Sequence, residues 1–559
     1  MDKIWMLKEK RQKDKTLMES ILSSKGIIDP KDIEEFLSDR PKRTYDPFII
    51  KSMDKAIDKI KEHIEGGNKI IIFGDYDVDG IASTALLVEF ISLLTKNIDY
   101  YIPNRFSEGY GLNKDAIRYI KEEMKGKLII TVDNGVTSYE EVEYAKEIGL
   151  DIIVTDHHNP PERLPQCILL NPKQKGDPYP FKELCGCGIA FKLIQALQRE
   201  FDIARKYLNR ALDLVALATI ADLVPLIDEN RTITKYGLKS INGNRRTGLL
   251  ALRCQLALEN SYINAGTIGF TIGPCFNATG RIDDGRLGVE LLLEGNLSKA
   301  KILAKTLVKM NNDRKDIQIR GENHCMELAR GKYSKDDFLV LDGGHISEGV
   351  IGIIAGRIKD RFYKPTLVIT RGKEGYLKGS GRSIKGINIY DEMKKVSDLF
   401  IGFGGHEMAC GFSIEEDLID ELRIRLNNRA REIREINPEV FLAKVDIVTE
   451  VNAEELSIDF INSLSKLEPY GVGNPKPLFI IKNIEVNSSW TRSCGDDNSH
   501  LKFSGKKNNI FLNGIGFSLA NKYNSLSSPK EVDVAFYTDI NDYKGEKKPQ
   551  MIIEDLRAI

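Results

Sequence analysis

Short apolar segments alternate with helical segments in the first half of the chain, and this alternation constrains the fold more than any other feature. The segments KIIIF, KLIITV and LDIIVT have the length and the β-branched content of buried strands. SYEEVEYAKEIG, which separates the last two, is typical of a helix. Strands that alternate with helices in this way indicate βαβ units. The sequence therefore predicts an α/β fold with a parallel sheet covered on both faces.

Acidic and imidazole side chains follow each of these strands. They are Asp75, Asp77 and Asp79 after the first, Asp133 after the second, and Asp156, His157 and His158 after the third. The carboxyl ends of parallel strands share one edge of the sheet, where α/β proteins bind ligands. Asp222 ends the apolar stripe of the helical segment LDLVALATIADLVPL, where a carboxylate is either paired or bound to a metal. We expect these residues to form one site.

The segment GDYDVDG allows two interpretations when it is taken alone. In an extended conformation its three aspartates would point the same way. Carboxylates brought together have raised pKa values and destabilise the fold unless a cation offsets their repulsion. The alternative is a polar turn that ends a strand. The other strand ends favour a metal site.

The residue types in this set indicate the metal. Carboxylate oxygens suit Mg²⁺ and Mn²⁺, and an imidazole favours Mn²⁺. The ligands that we predict are too many for one Mg²⁺, which keeps several of its waters. They suit two metals about 3.5–4 Å apart that share a bridging carboxylate and act on a phosphoryl centre. The predicted ligands are Asp77, Asp79, Asp133, His157 and Asp222.

Several arginines lie in glycine-rich surroundings where a phosphate can approach the backbone. Arg105 lies in IPNRFSEGYG, Arg281 follows NATG, and Arg382 lies within GSGRS. A surface ion pair of little energetic value is the alternative for each arginine alone. His406, in GGHEMACG, is either a site residue or a histidine buried in a tight glycine turn. The segment GPCFNATGRIDDG is predicted to be an ordered loop.

The rest of the chain indicates several domains. The first fifty residues are predicted to be short helices, and residues from about 287 to 329 one or two long helices. A second α/β region begins at DFLVLDG and is followed by a charged helix near 415–435. From about residue 440, short strands with turns rich in Gly, Asn and Asp predict a small β-barrel or sandwich.

Composition excludes some classes of protein. The chain has 559 residues, and no apolar stretch is long enough to predict a membrane span. The charged start MDKIWMLKEKRQKDK does not resemble a secretion signal, and the scattered cysteines form no C-x-x-C pair, so we expect a reducing cytoplasm. The formal net charge of −1 means that binding to a polyanion would require local basic patches.

The segments GDYDVDG, TVDNG, TDHH and ADLVPL resemble, in order and spacing, the motifs of the DHH phosphoesterase superfamily. FNATGR, EGVIGIIAGRI, GSGRS and GFGGHEMACGF are similar to its DHHA1 type. YIPNRFSEGYGL and LEPYGVGNPKPLF resemble the RecJ family within it. The resemblance covers nearly the whole chain from about residue 40.

This resemblance implies a division of the chain into domains. These are an N-terminal helical segment (1–50), a DHH catalytic domain (51–285), connector helices (286–334), a DHHA1 domain (335–438) and a single-stranded-DNA-binding OB-fold (439–559). In the OB-fold, Tyr470 and Trp490 are each either a base-stacking residue or a buried core aromatic.

The resemblance also implies roles for single residues. Asp133 would bridge the two cations, either Mn²⁺ or Mg²⁺, Asp75 would support the cluster or join the ligands, and Asp156 would hold the neighbouring imidazole. Phe73 occupies a position where some superfamily members have a histidine, which leaves the ligand set of one metal open. His158 and Arg281 would act on the scissile phosphate. The residues implied to contact DNA are Arg105, Asn277, Arg281, Ser380, Arg382 and His406.

The implied activity is 5′→3′ exonuclease action on single-stranded DNA, in recombination and repair. Water activated by the metals would attack the phosphate in line. The enzyme would release 5′-mononucleotides from a strand held between two lobes. The implied partners are single-stranded DNA, a helicase and single-strand-binding protein, and we expect a monomer. The alternatives are a nano-RNase or bisphosphonucleotide phosphatase of the superfamily, a silent scaffold like Cdc45, and a family II pyrophosphatase.

Overall fold

The computed structural model describes residues 3–11, 14–105, 108–109, 111–282, 285–372, 375–527, 529–543 and 545–559. Of the motifs above, the pair 106–107, Tyr110 and the pair 283–284 lie outside these residues. The N-terminal segment contains a strand as well as the helices that we predicted. Its elements are β1 (Ile4–Leu7), α1 (Leu17–Ser24) and α2 (Pro30–Leu37).

The first lobe has the predicted parallel sheet, with its strands in the order β3-β2-β4-β5-β6. Helices cover both faces, and the strand residues Ile70–Phe73 and Leu128–Val132 are buried. The elements are α3 (Met53–Glu65), β2 (Ile70–Phe73), α4 (Val78–Ile91), β3 (Ile98–Tyr101), α5 (Lys114–Glu122), β4 (Leu128–Val132), α6 (Tyr139–Glu147), β5 (Asp151–Thr155), β6 (Ile168–Leu170), α7 (Gly186–Glu200), α8 (Lys206–Ala221), α9 (Asp228–Asn242), α10 (Thr247–Gln255), α11 (Ala265–Thr267) and α12 (Gly273–Ile282).

Two local predictions in this lobe are wrong. Most of the segment predicted as an ordered loop is helix α12, which follows a π-helical turn at Ile268–Ile272. Its glycine is needed for close packing, because a Cβ on Gly280 would lie 2.6 Å from the carbonyl oxygen of Tyr76. The aspartates of GDYDVDG do not lie on one extended segment either. Asp77 caps α4, and its Oδ1 accepts hydrogen bonds from the N–H groups of Asp79 and Gly80.

Two connector helices lead to the second lobe, whose mixed sheet has the order β10-β11-β9-β8-β7. The glycine-rich segments GSGRS and GFGGH lie mostly on its strands rather than in turns. The elements are α13 (Arg286–Leu293), α14 (Leu297–Arg330), β7 (Leu339–Asp342), α15 (Glu348–Phe362), β8 (Thr366–Arg371), β9 (Leu377–Arg382), α16 (Ile389–Lys394), β10 (Phe400–His406), β11 (Ala409–Ile414) and α17 (Ile419–Ile436).

The C-terminal region is the predicted small β-barrel. Its strands follow the order β13-β14-β18-β19-β17-β16-β15, and an additional pairing of β14 with β16 closes the sheet. The elements are β12 (Lys444–Ile447), β13 (Thr449–Glu450), α18 (Ile458–Ser463), β14 (Phe479–Val486), β15 (Arg492–Cys494), β16 (His500–Lys507), β17 (Ile510–Gly516), α19 (Ala520–Ser525), β18 (Glu531–Tyr543) and β19 (Glu546–Ala558).

The N-terminal strand belongs spatially to this C-terminal region, because β1 pairs in parallel with β12. Trp5 of β1 donates a hydrogen bond from Nε1 to Asp555 Oδ2 at 2.7 Å. Among the described residues, no helix combines the length and the apolarity needed to span a membrane.

Candidate metal centre and nucleic-acid interface

The predicted acidic residues converge at the carboxyl edge of the first sheet. β2 lies beside β4 and β4 beside β5, so the residues that follow these strands are neighbours. Oxygen atoms of Asp75, Asp77 and Asp133 lie within 4.8 Å of one another. Ligand atoms of a second group, Asp79, His157 and Asp222, are equally close. A third group, Asp133, His157 and His158, shares one member with each of these two, so the edge carries adjoining groups of metal-ligating side chains.

His157 connects these two groups. Its Nε2 lies 3.1 Å from Asp133 Oδ1, 3.6 Å from Asp222 Oδ2 and 3.9 Å from Asp79 Oδ2. The ring is buried, and burial together with the charge of His158 lowers the pKa of His157 to about 3. A neutral imidazole is the form that binds a metal. His157 can therefore act as a ligand at neutral pH without first losing a proton.

Burial and repulsion by neighbouring carboxylates raise the pKa values of Asp75, Asp79, Asp133 and Asp222. The pKa of Asp79 rises to about 7 through burial and the charge of Asp77, and that of Asp222 to about 9 through burial and the charge of Asp79. Burial is also the main reason why the pKa values of Asp75 and Asp133 are raised. Cations would remove this repulsion and favour the ionised carboxylates.

Two further buried atoms support the fit of this site to hard divalent cations. Asp75 Oδ1 and Asp222 Oδ2 have no hydrogen-bond partner within the described parts of the chain. A buried carboxylate oxygen without a donor is costly, and metal coordination satisfies it. The donor set, oxygens with one imidazole, is the set that Mn²⁺ and Mg²⁺ accept. The residues present therefore fit the two cations that the sequence predicts.

Helix α7 positions one of the carboxylates. Asp79 accepts hydrogen bonds from the backbone N–H groups of Gly186, at 2.6 Å, and Cys187, at 2.7 Å. Gly186 must be a glycine because a Cβ there would lie 2.7 Å from the Cβ of Asp133. Gly186 was not predicted from the sequence as a site residue. The segment LCGCGIA, with glycines at the start of an apolar helical pattern, was the signal that could have found it.

Asp156 holds the second histidine of the pair, as the resemblance implied. Its Oδ1 lies 2.7 Å from His158 Nδ1, while its Oδ2 accepts a hydrogen bond from the N–H of Val136 at 2.9 Å. Burial lowers the pKa of His158, but the hydrogen bond and charge of Asp156 outweigh this effect, so the pKa is raised. The His158 ring is exposed at the mouth of the cluster.

A cleft of about 790 Å³ lies between the two lobes beside this cluster. Four residues of the predicted DNA-binding set line it: Arg105, Arg281, Ser380 and Arg382. Arg281 donates a hydrogen bond to the carbonyl oxygen of Gly349 at 2.6 Å, and Arg382 donates to Ser380 Oγ at 3.1 Å. Burial and the nearby Arg105 lower the pKa of Arg281 to about 10. The cleft is a cationic surface suited to phosphate.

The remaining predicted contacts lie elsewhere. The side-chain oxygen of Asn277 accepts a hydrogen bond from the N–H of Val78 at 3.1 Å, so Asn277 holds the start of α4. His406 is exposed at the hairpin of β10 and β11 and is not among the described residues that line the cleft. Tyr470 is partly buried, and its hydroxyl donates to the carbonyl oxygen of Leu464. The alternative of a core position is wrong for Trp490, which is 64% exposed.

Three family models match successive parts of the chain. The N-terminal domain of the DHH family matches residues 69–219, the DHHA1 domain matches 335–432, and the RecJ OB domain matches 447–555. They fall in the two lobes and the C-terminal barrel, in the order that the motifs predicted.

Relatives that match nearly all of this chain agree with these models. The single-stranded-DNA-specific exonuclease RecJ of Bacillus subtilis is 36% identical over 545 residues, covering 96% of this chain and 67% of the relative. The protein of the same name from Salmonella typhimurium is 35% identical, covering 91% and 90%. The crystal structure of RecJ in complex with Mn²⁺ from Thermus thermophilus superposes with a TM-score of 0.83 at 26% identity, covering all of this chain and 80% of that one. The chain therefore belongs to the RecJ family.

Proposed function

We propose that the protein is a single-stranded-DNA-specific 5′→3′ exonuclease that releases 5′-mononucleotides by hydrolysis with two divalent cations, Mn²⁺ or Mg²⁺. The observation that carries the proposal is the pair of adjoining ligand groups around Asp133, which lies beside a cleft lined by arginines. Curated relatives at 35–36% identity have the name single-stranded-DNA-specific exonuclease RecJ. The role assigned by family is DNA recombination and repair.

The ligand groups suggest which carboxylates would bind each cation. Asp75 and Asp77 would hold one cation and Asp79, His157 and Asp222 the other, with Asp133 as the shared ligand. In this proposal Asp75 is a ligand rather than a supporting residue. When bound, the cations supply a nucleophile at neutral pH and neutralise charge on the attacking and leaving oxygens.

The protein's own residues bind and orient the substrate around this centre. The exposed ring of His158, held by Asp156, would donate a hydrogen bond to a non-bridging oxygen of the scissile phosphate. Arg281, fixed by the carbonyl oxygen of Gly349, would face the same phosphate. Asn277 would act indirectly, because it holds the start of α4 and thus Asp77 and Asp79.

We assign the 5′ end to the interlobe cleft. Ser380 and Arg382 on β9, together with Arg105 from the first lobe, would hold the terminal nucleotide and its phosphate. His406 lies at the exposed end of the neighbouring hairpin and would contact DNA only at the rim. A strand threaded between the lobes presents a single backbone to these arginines, which favours single-stranded over duplex substrate.

The domain division predicted from the sequence remains a proposal. It is supported by the three main sheets, each of which lies within one of the ranges 51–285, 335–438 and 439–559. A helicase and single-strand-binding protein remain proposed partners because each exposes or covers the single strand that the enzyme would use. One chain supplies both walls of the cleft, which supports the proposal of a monomer.

The test uses a long single strand labelled at either end, a matched duplex, and Mn²⁺ or Mg²⁺. Steady release of mononucleotides from the 5′ end, lost in Asp133→Ala, is the expected result. Equal cleavage of the duplex would overturn the proposed specificity. Activity confined to di- and trinucleotides would favour a nano-RNase, and binding without cleavage would favour a silent scaffold.

A further inference from the structure

A second groove, of about 500 Å³, adjoins the site through Arg281, which lines both this groove and the interlobe cleft. Residues of α12, α14 and α15 form its walls. Asn277 also lines it, and the hydrogen bond from Val78 N–H to Asn277 connects this wall to the start of α4. The groove therefore adjoins the interlobe cleft and contacts, through Asn277, the helix that carries Asp79.

An exposed aromatic side chain lies at the edge of this groove. Phe270 is 86% exposed and lies within the π-helical turn Ile268–Ile272 that precedes α12. π-Helical turns are rare and are often found at functional sites. Ile319 of α14, also largely exposed, lines the same groove. The groove thus offers an exposed apolar surface beside its polar walls.

The other lining groups include four cations, Arg281, Arg314, Lys315 and Arg357, and among the described residues one carboxylate, Glu322. Arg314 is only 8% exposed, and its guanidinium donates hydrogen bonds to the amide oxygens of Asn311, at 2.9 and 3.2 Å, and Gln318, at 2.7 Å. Within the described ranges, no carboxylate forms an ion pair with it. Arg357 from α15 faces the same groove. A buried guanidinium that is paired only with neutral amides retains its attraction for an anion.

We propose that this groove holds the single-stranded DNA on the 3′ side of the scissile phosphate, with Phe270 stacked on a base and the guanidinium groups of Arg314 and Arg357 facing phosphates. The inference rests on the proposed function. Aromatic faces beside cations form the surfaces that bind single strands independently of sequence. We have assigned the 5′ nucleotide to the interlobe cleft, and the groove that shares Arg281 with that cleft is the adjoining surface for the strand that follows it.

The test combines Phe270→Ala with single abasic sites placed at successive positions of a 12-nucleotide strand. Binding is measured by fluorescence anisotropy of the full chain in EDTA, and hydrolysis is measured separately in Mn²⁺. Phe270→Ala is expected to weaken binding by about fivefold to a hundredfold, which is the range for loss of one base–aromatic stack. An abasic site at one position should weaken wild-type binding by the same factor as Phe270→Ala does, and it should have no further effect in the variant.

Ile436→Ala is the matched control, because Ile436 is also 86% exposed but lies at the end of α17, outside the groove. It should bind as wild type does.

Arg357→Gln should reduce the slope of log affinity against log salt by about 0.7, the value for one lost phosphate contact. Unchanged binding in Phe270→Ala, or equal losses from abasic sites in both proteins at every position, would overturn the inference. Failure of the proposed function would differ, since wild type itself would then not hydrolyse the strand.

Discussion

Asp133 lies where the two ligand groups meet, and the backbone fixes it there. Its φ is +62°, in the left-handed region that residues other than glycine rarely adopt. Such a conformation costs about 1–3 kcal/mol and persists only where the surrounding structure holds it. The side chain packs against Gly186, which leaves no room for a Cβ. The carboxylate position is therefore set by the fold before any cation binds.

Replacing this carboxylate separates its role in catalysis from its role in stability. Asp133→Asn keeps the shape of the side chain but removes an anionic oxygen, so we expect strand hydrolysis to fall by more than about a hundredfold. Because burial raises the pKa of Asp133, the metal-free variant should be at least as stable as wild type. Calorimetry with and without Mn²⁺ measures this. When the free Mn²⁺ concentration is a hundred times its dissociation constant, the free energy of unfolding of the wild type should increase by about 2.7 kcal/mol.

A variant that retained both the activity and the Mn²⁺-dependent gain in stability would contradict the assignment of Asp133 as the shared ligand. Leu223→Asn serves as a control. Leu223 also has a positive φ, is 67% exposed and directly follows Asp222 without being a proposed ligand. Asparagine tolerates this conformation, so the control should keep the Mn²⁺ response.

The pairing of Asp156 with His158 predicts a change in pH dependence. Asp156 raises the pKa of His158, which favours the protonated ring that would contact a phosphate. Activity that depends on this cation is present below the pKa and lost as the pH rises through it. In Asp156→Asn the pKa falls, so the alkaline limb of kcat/KM should move to lower pH. A pH–rate profile measures this, and an unmoved limb in a folded variant would contradict the role of His158.

At the scale of elements, the first turn of α7 supports the metal centre without contributing a ligand. The N–H groups of Gly186 and Cys187 fix Asp79, while the bare Cα of Gly186 allows Asp133 to approach. Gly186→Ala should therefore displace one carboxylate or the other. A misplacement of about 1 Å costs on the order of a hundredfold in rate. Steady-state hydrolysis and Mn²⁺ affinity both measure the effect.

Gly356→Ala on α15 is the matched control for that substitution. A Cβ at Gly356 has no atom within 4 Å, and alanine in a helix is favoured over glycine by about 0.5–1 kcal/mol. The control should be slightly more stable than wild type and fully active. Wild-type activity in Gly186→Ala would show that α7 does not position the carboxylates.

The periodic elements could be predicted from the sequence, and the close contacts between them could not. β2, β4 and β5 are short apolar runs bounded by turn residues. The local pattern therefore predicted the strands, and the geometry of a parallel sheet predicted that the acidic residues after them would lie together. Helix α12 was predicted as an ordered loop because its glycines allow the backbone to approach a ligand closely, whereas Gly280 serves packing against Tyr76. Strand β1 was missed because its partner, β12, lies more than four hundred residues away. Such contacts leave no periodic signal.

At the scale of the whole molecule, one arginine connects three regions of the chain. Arg231 of α9 is 3% exposed, and its guanidinium donates hydrogen bonds to the carbonyl oxygens of Phe36, Lys466 and Leu467. Lys25 donates to the carbonyl oxygen of Pro475 at 3.1 Å and Lys235 to that of Ser38 at 2.7 Å. Cations that are satisfied mainly by carbonyl groups therefore join the first lobe, the N-terminal segment and the C-terminal barrel.

This junction should become more stable as the pH rises. Burial and the charge of Arg231 lower the pKa values of Lys25 and Lys235 to about 8, although Asp39 and Glu468 lie near Lys235. The pKa of an unfolded lysine is about 10.4, so between these values the unfolded chain binds more protons and stability increases with pH. Urea midpoints measured at pH 7 and 9.5 check this.

The double variant Lys25→Met, Lys235→Met identifies the source of that gain. It removes two like charges beside Arg231, so its urea midpoint at pH 7 should exceed that of wild type, and the difference should shrink at pH 9.5. Tyrosines and cysteines also titrate in this range, so only the difference between the two proteins reports on the lysines. Lys299→Met, at an exposed position on α14, controls for the loss of charge. A constant difference at both pH values would mean that the lysines stay protonated in the folded junction and that carbonyl hydrogen bonds alone compensate their burial.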